Sequence, residues 1–337
     1  MTTMTEPQIS REMQAATILE KSVCLTLECH YLGNNRQVDV DALVSAMSIG
    51  LGAPREDAIE NGTDADQFHV TKRLIPTREL NPVMRVFGVA KAKLRAKAIA
   101  THRVFGERSY LIPLALVEET DADLVACEHE LKKQARELAY RRYAAAVEKQ
   151  KTALGPLFKA GDYLAPEQVV AAFAIDWSFV SFAAPDKLES VSHVLAMNAE
   201  RKHTNKLTAA YDEVLVGLRA SALEVMTDLE QRLTPDDGKP KVLRGAALRD
   251  LAEFIQYLPA RNLTDDVELA AVMARVARRA EGLDVQTLRD SDATREALRE
   301  AASEAKAVLV GLVETGRRAS SARRAISFTP LTARSRP

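Results

Sequence analysis

Residues 121–154 read DADLVACEHELKKQARELAYRRYAAAVEKQKTAL, and the reading of this stretch decides the fold. Leu124, Leu131, Leu138 and Ala145 recur every seven residues, with Cys127 and Ala135 between them. That spacing makes a coiled-coil-like seam along one helix. At 1.5 Å per residue the helix runs roughly 45–50 Å, more than a small globule alone can cover. Gly155-Pro156 stops it. Upstream, Pro82 suits the first turn of another helix. Its Val83, Phe87, Ala90, Leu94 and Ala98 line one face, while Arg85, Lys91, Arg95 and Lys97 point elsewhere. The two helices predict a protruding hairpin whose arms join near Tyr110 to Pro113, its seam buried within the chain or between subunits.

Before the hairpin the period is two. Val23, Leu25, Leu27, Cys29 and Tyr31 share one face and Cys24, Thr26, Glu28 and His30 the other, as in a half-buried strand. After the Gly33-Asn34-Asn35 turn, Val38 and Val40 suit either a second strand or a helix entry near Asp41. Phe68, Val70 and Leu74 alternate with His69, Thr71 and Arg73, so a small antiparallel sheet is expected in the first eighty or so residues.

Beyond the hairpin, Phe158, Tyr163, Phe173, Trp177, Phe179 and Phe182 cluster. Aromatics are more often core than surface, so an aromatic plug at the hairpin base is preferred to a recognition surface built on Trp177. The remainder is helical. Leu207, Tyr211, Val214, Leu218, Val225 and Leu229 mark one helix, stopped by the Thr234-Pro235-Asp236-Asp237-Gly238 turn. Leu248, Leu251, Ile255 and Leu258 mark the next, ending before Pro259. Thr264 then caps a helix with Asp265 and Asp266 in its first turn and Arg275, Arg278 and Arg279 in its last, closed by Gly282. A final helix runs from about Ala293 to Gly316.

The fold class is therefore mainly α: an elongated helical hairpin or coiled-coil-like bundle with a small N-terminal antiparallel sheet. The expected division is a flexible stretch over 1–20, a small α/β region over 21–80, the hairpin with its aromatic return over 81–200, a helical bundle over 201–316 and an Arg-rich disordered tail over 317–337.

Composition narrows the function classes. The 337 residues are 47% hydrophobic and 28% charged, a soluble globular balance, and a net charge of −1 removes bulk charge as a guide to partners. Cys24, Cys29 and Cys127 form no paired framework and no Cys-x-x-Cys spacing, which suits a reducing, cytoplasmic compartment. The polar first residues lack a secretory pattern, and the longest apolar runs fall far short of the roughly 20 residues of a membrane span. No phosphate loop occurs, since Gly238-Lys239 is followed by Pro240. Gly50-Leu51-Gly52 lacks the third glycine of a dinucleotide loop. His129, in Cys127-Glu128-His129-Glu130, has no second histidine four residues away. Cys24, His30 and His69 form the one conceivable metal cluster, and a polar strand face is preferred. The expectation is a protein with no catalytic residues, metal or cofactor, working through a protein partner, with homo-oligomerisation left open. Exposed hairpin cations such as Arg141, Arg142 and Lys149 are the candidate partner-binding residues.

The local charge asymmetry is at the end of the chain. No acid follows Glu314, while Arg317, Arg318, Arg323, Arg324, Arg334 and Arg336 accumulate among Ser, Ala and Thr. A solubilising disordered tail is the preferred reading; phosphate contacts to nucleic acid are the alternative.

The opening strand with its polar turn, the Phe68 to Arg78 strand feeding a long helix, and Leu258-Pro-Ala-Arg-Asn-Leu-Thr-Asp-Asp266 followed by Leu288-Arg289-Asp290 resemble a phage and mobile-element family of unknown function, domain of unknown function 3150. The likeness covers most of the chain from about residue 20 to 315. The family is commonly encoded beside MoxR-type AAA+ ATPases and von Willebrand A-domain proteins. The resemblance implies an adaptor or partner of such an ATPase system in the cytoplasm of a bacterial host cell and carries over no functional residues. The alternative is a nucleic-acid-binding or self-assembling phage structural protein.

Overall fold

The computed structural model describes residues 18, 20–38, 70–100, 108–180, 192–235 and 245–327, with backbone alone at 100, 203, 207 and 319–327. The chain is mainly α, with a small sheet built around its first strand. It divides into two compact units, one made of Met1–Thr26, Leu94–Thr120 and Ser178–Pro337, the other of Leu27–Lys93 and Asp121–Trp177. The division is interleaved rather than sequential, unlike the 21–80, 81–200 and 201–316 blocks expected from composition.

Strand β1 spans Ser22–His30. Two short strands, β2 (Asn35–Gln37) and β3 (Thr71–Arg73), pair antiparallel, with Asn35 opposite Arg73. Val40 and residues 68–69 of the sequence reading lie outside the described residues. Strands β4 (Ile99–Ala100), β5 (Ser109–Pro113) and β6 (Ala174–Val180) join β1 in the order β4-β5-β1-β6. β1 runs antiparallel to β5, with Ser22 opposite Pro113 and Thr26 opposite Ser109.

Strand β5 corrects the expected hairpin joint at Tyr110 to Pro113. All five of its residues are buried. A strand covered on both faces is a continuous apolar run without alternation, which over five residues has no period to read. The opening strand is covered on both faces too at its start: Cys24, Leu25 and Leu27 are all buried.

Helix α1 (Thr77–Lys97), which belongs to the second unit as far as Lys93, begins five residues before Pro82. Pro82 therefore sits inside the helix rather than in its first turn, and it leaves the Arg78 carbonyl without its usual amide partner. The expected face is correct, since Val83, Phe87, Ala90, Leu94 and Ala98 are all buried. Helix α2 (Val117–Glu137) continues through a π-helical turn, Leu138–Arg142, into α3 (Tyr143–Leu154). The seam Leu124, Cys127, Leu131, Ala135 and Leu138 is buried within the chain. Ala145 is exposed instead, and Ala139, Tyr143 and Ala146 take over the buried stripe. A π turn bonds i to i+5 and inserts one residue, so the stripe moves one position along the sequence. Gly155 closes α3 at φ 49°, a left-handed value that glycine tolerates.

The aromatic return segment divides. Beyond the short helix α4 (Pro166–Ala171), Phe173 is buried and tilted against Phe87, ring centres 6.5 Å apart, and Phe87 also meets Tyr31 at 4.5 Å. Phe158 stacks on Tyr163. Trp177 is half-buried, its indole N–H donating to Asp121 at 2.8 Å. Phe182 lies outside the described residues.

The first unit is dominated by helices α5 (His193–Leu233), α6 (Ala246–Arg261), α7 (Val267–Ala280), α8 (Val285–Asp290) and α9 (Asp292–Ser327). Val214, Leu218, Ala222, Met226 and Leu229 of α5 recur almost every fourth residue and are buried, as are Leu298, Ala302, Ala305 and Leu309 of α9. Such spacing makes a core-facing stripe. The two helices run antiparallel: Lys306 reaches Glu230 at 2.7 Å, Arg219 reaches the Leu312 carbonyl at 3.2 Å, and Gly316 faces Val216. A Cβ at Gly316 would stand 2.8 Å from the Val216 methyl, so glycine sets this close approach.

Three helix boundaries differ from expectation. α6 includes Pro259, because proline disrupts the bond to the residue four earlier and not its own helical dihedral. Asp266, not Thr264, caps α7, its carboxylate accepting from the Leu269 amide at 3.1 Å. The Asn262 side chain fixes that cap, accepting from the Asp266 amide at 2.8 Å and donating to its carbonyl. α9 does not end at Gly316 but continues to Ser327. Positions 317–327 are therefore helical backbone rather than part of a disordered tail, and Arg334 and Arg336 lie outside the described residues.

Candidate functional site

The outer surface around the π turn is where the sequence places its partner-binding cations. Arg141 is exposed and pairs loosely with Glu137 at 3.4 Å, and Lys149 is exposed on α3. Arg142 is not a free surface group. It is half-buried, donating to the Glu79 carbonyl at 3.3 Å and facing its carboxylate at 3.8 Å, which ties the π turn to the start of α1. The residue that sequence reasoning missed here is Tyr140, 59% exposed on the same turn. Its position in the seam repeat reads as flanking, and only the π geometry separates it from Ala139 and Tyr143, which are buried. Tyrosine and arginine are among the residue types enriched at the hot spots of protein interfaces.

Between α1 and α2 lies an open groove of about 410 Å³ lined by Val86, Val89, Ala126 and Cys127, with Arg85, Lys93, Glu130 and Gln134 among its polar members. Lys93 is held by Asp123 at 2.6 Å. Burial pushes the Cys127 thiol above its ordinary pKa, more than nearby Lys93 offsets. Cys24 is pushed up to about 11 by burial. Both are therefore thiols at neutral pH, the weakly nucleophilic form. His30 faces Asp176 at 3.2 Å, while Cys24 is buried and His69 lies outside the described residues. Among the described residues, no three His, Cys, Asp or Glu side chains are placed to hold a metal ion. No described helix is long and apolar enough to cross a membrane.

The first unit concentrates its buried charge around the connection from α6 to α7. Arg219 donates through Nε to Asp266 at 2.6 Å and also faces Glu268 at 3.3 Å. The Asp266 hydrogen bond raises the Arg219 pKa against the effect of burial. Burial works against the Asp266 carboxylate, but the bonds from Arg219 and the Leu269 amide outweigh it and hold its pKa below the usual range. Lys97 is buried, pairs with Glu119 at 2.8 Å and lies over the Tyr257 ring, whose hydroxyl donates to Glu119 at 2.8 Å. Arg261, 4% exposed, is of a different kind: its Nε is buried without an acceptor, its guanidinium lies 5.3 Å from the Phe254 ring centre, and burial lowers its pKa to about 10. Arg219 and Asp266 tie α5 to the start of α7, and Lys97 and Tyr257 meet at Glu119.

The arginines near the end of the chain fall in two groups. Arg317 and Arg318 are exposed on α9, Arg318 facing Glu314 at 3.6 Å, and positions 323 and 324 lie on the same helix backbone. No family model, curated protein or solved structure matches the chain.

Proposed function

We propose that this is a non-catalytic phage or mobile-element protein that acts as an adaptor, docking on a MoxR-type AAA+ ATPase or its von Willebrand A-domain partner. The observation that carries the reading is the π turn: a helix anchored on one side by a buried seam presents Tyr140 and Arg141 outward, with Lys149 two turns further on. Anchoring matters because a preordered surface loses little conformational entropy on binding. π turns within long helices are frequent at functional positions. The likeness of the opening strand and of the Leu258 to Asp266 stretch to domain of unknown function 3150 supports the choice of partner class.

The test is copurification of tagged full-length protein with the ATPase and the A-domain protein encoded nearest to it. The triple variant Tyr140→Ala, Arg141→Glu, Lys149→Glu is expected to lose the partner while keeping the wild-type melting temperature. Undiminished recovery of the partner by a folded triple variant would overturn the assignment of this surface. Recovery of neither protein by the wild type would overturn the adaptor reading itself.

A further inference from the structure

Two helices of the first unit end on a buried residue, and the two ends are made differently. Helix α5 ends on Leu233, part of the apolar core, with the Thr234 amide donating to the Glu230 carbonyl at 2.9 Å. Helix α6 ends on Arg261, with the Asn262 amide donating to the Leu258 carbonyl at 2.9 Å. Arg261 continues the buried stripe Leu251, Phe254 and Leu258, so its side chain is drawn into the unit. There the guanidinium meets the Phe254 ring, while its Nε has no acceptor among the described residues. Arg219, buried nearly as well, shows what such a group requires: Asp266, Glu268 and the Leu312 carbonyl all accept from it. Further costs fall on the same few residues. Pro259, within the last turn of α6, has no amide to give the Ile255 carbonyl. The Thr264 Oγ is buried without a partner among the described residues. Asp265 stands at φ 51°, a left-handed value unfavourable for a residue with a Cβ. Against these costs, Leu263 packs with Ile18, Ile99, Leu111 and Val214, and the Asn262 side chain bonds to the Asp266 backbone.

We propose that residues 259–265 form a latch that opens while the rest of the first unit stays folded, releasing Arg261, and Leu263 with it, into water. The segment has fixed ends. On one side Tyr257 donates to Glu119 at 2.8 Å, and on the other Asp266 accepts from Arg219 at 2.6 Å. Opening solvates a buried cation and a buried hydroxyl that have no acceptor or partner in the closed state, which favours it. It also takes Leu263 out of its apolar cluster, which opposes it. Opposed contributions on one short segment are what a local opening unit requires. In the closed state the leucine and the arginine are hidden together; in the open state both are displayed, two positions apart. A partner that offers an apolar surface beside a carboxylate binds the open state alone and shifts the population toward it. The latch belongs to the first unit, apart from the surface around Tyr140 in the second, and does not depend on the adaptor reading.

The experiment is amide hydrogen exchange of the full chain at neutral pH, read by mass spectrometry and corrected for the intrinsic rate of each sequence. The amides of Ala260, Arg261 and Asn262 are expected to exchange about tenfold faster or more than those of Arg232, Leu233 and Thr234 at the matching end of α5. Arg261→Met keeps the bulk and removes the charge, so it is expected to slow exchange of the latch about tenfold. Leu263→Ala removes the apolar hold and is expected to speed it by about tenfold or more. Both variants are expected to leave exchange at the end of α5 unchanged. Equal rates at the two helix ends of the wild type would overturn the latch. So would an Arg261→Met variant that exchanges as fast as the wild type, which is what ordinary fraying of a helix end predicts. Faster exchange in Arg261→Met would show that the guanidinium holds the segment closed, and would overturn it as well.

Discussion

Replacing Asp266 with alanine removes two different interactions at once, and their sizes can be worked out from the geometry. The carboxylate caps α7 by accepting from Leu269, and loss of an N-cap costs about 1 kcal/mol. It also accepts the 2.6 Å bond from Arg219, whose side chain is 10% exposed. Breaking a buried pair by deleting one partner costs about 3–5 kcal/mol, because the remaining charge stays buried. Arg219 keeps the Leu312 carbonyl and the exposed Glu268, which places this part at the lower end, about 3 kcal/mol. The sum, about 4 kcal/mol, is a large fraction of the 5–15 kcal/mol typical of a folded protein. In a thermal melt followed by circular dichroism, Asp266→Ala is expected to lower the midpoint by about 8–16 °C. Asp266→Asn, which keeps the cap, is expected to lose less. A double-mutant cycle with Arg219→Met isolates the pair and is expected to give a coupling of about 2–3 kcal/mol. The Asp266 pKa is lowered in the folded state, so its contribution is complete above the unfolded carboxylate value near pH 4 and is lost as pH falls through the folded value. The gap between wild type and Asp266→Ala should therefore be full at neutral pH and close in acid. A coupling below about 0.5 kcal/mol, or a gap that widens in acid, would refute the reasoning.

Leu131→Asp places a charge at a fully buried position of the α2 seam and is expected to cost several kcal/mol, read as a lower melting temperature; an unchanged midpoint would mean the seam faces water. Arg261→Met removes a buried cation with no carboxylate partner among the described residues and is expected to leave the protein equally or more stable in urea denaturation; a loss above about 2 kcal/mol would show that the guanidinium is paired. Cys24 is expected to resist iodoacetamide at pH 8 in the folded chain and to react in urea, since burial blocks access and raises its pKa; labelling at equal rates in the two states would contradict its burial.

Periodic features were legible in the sequence and non-periodic ones were not. The stripes through Val83, Phe87, Ala90 and Leu94 and through Leu124, Leu131 and Leu138 follow directly from spacing, because burial of a helix face imposes that spacing. Ala145 was misplaced by the same rule, since a π turn breaks the period without leaving a glycine or proline to mark it. Tyr110–Pro113 reads as a joint because the five buried residues of Ser109–Pro113 carry no alternation. Pro82 and Pro259 read as helix boundaries, yet both are tolerated within helices whose apolar faces are buried. The Arg219–Asp266 pair depends on how distant helices pack, and nothing local in the sequence signals it.

The interleaving of the two units has a consequence for the order in which the chain becomes complete during synthesis. Domains generally fold as units as they leave the ribosome. The last residue that the second unit requires is Trp177, whereas the first unit still awaits every helix from α5 to α9 at that point. The unit that holds the start of the chain's first strand, Ser22–Thr26, is thus the last to be finished. In the interval the nascent segment Ser22–Thr26 has its antiparallel neighbour Ser109–Pro113 already made, but not the helices beyond Ser178 that share its unit. A ribosome arrested once Trp177 has cleared the exit tunnel should therefore carry a protease-resistant second unit tethered to an unfinished first.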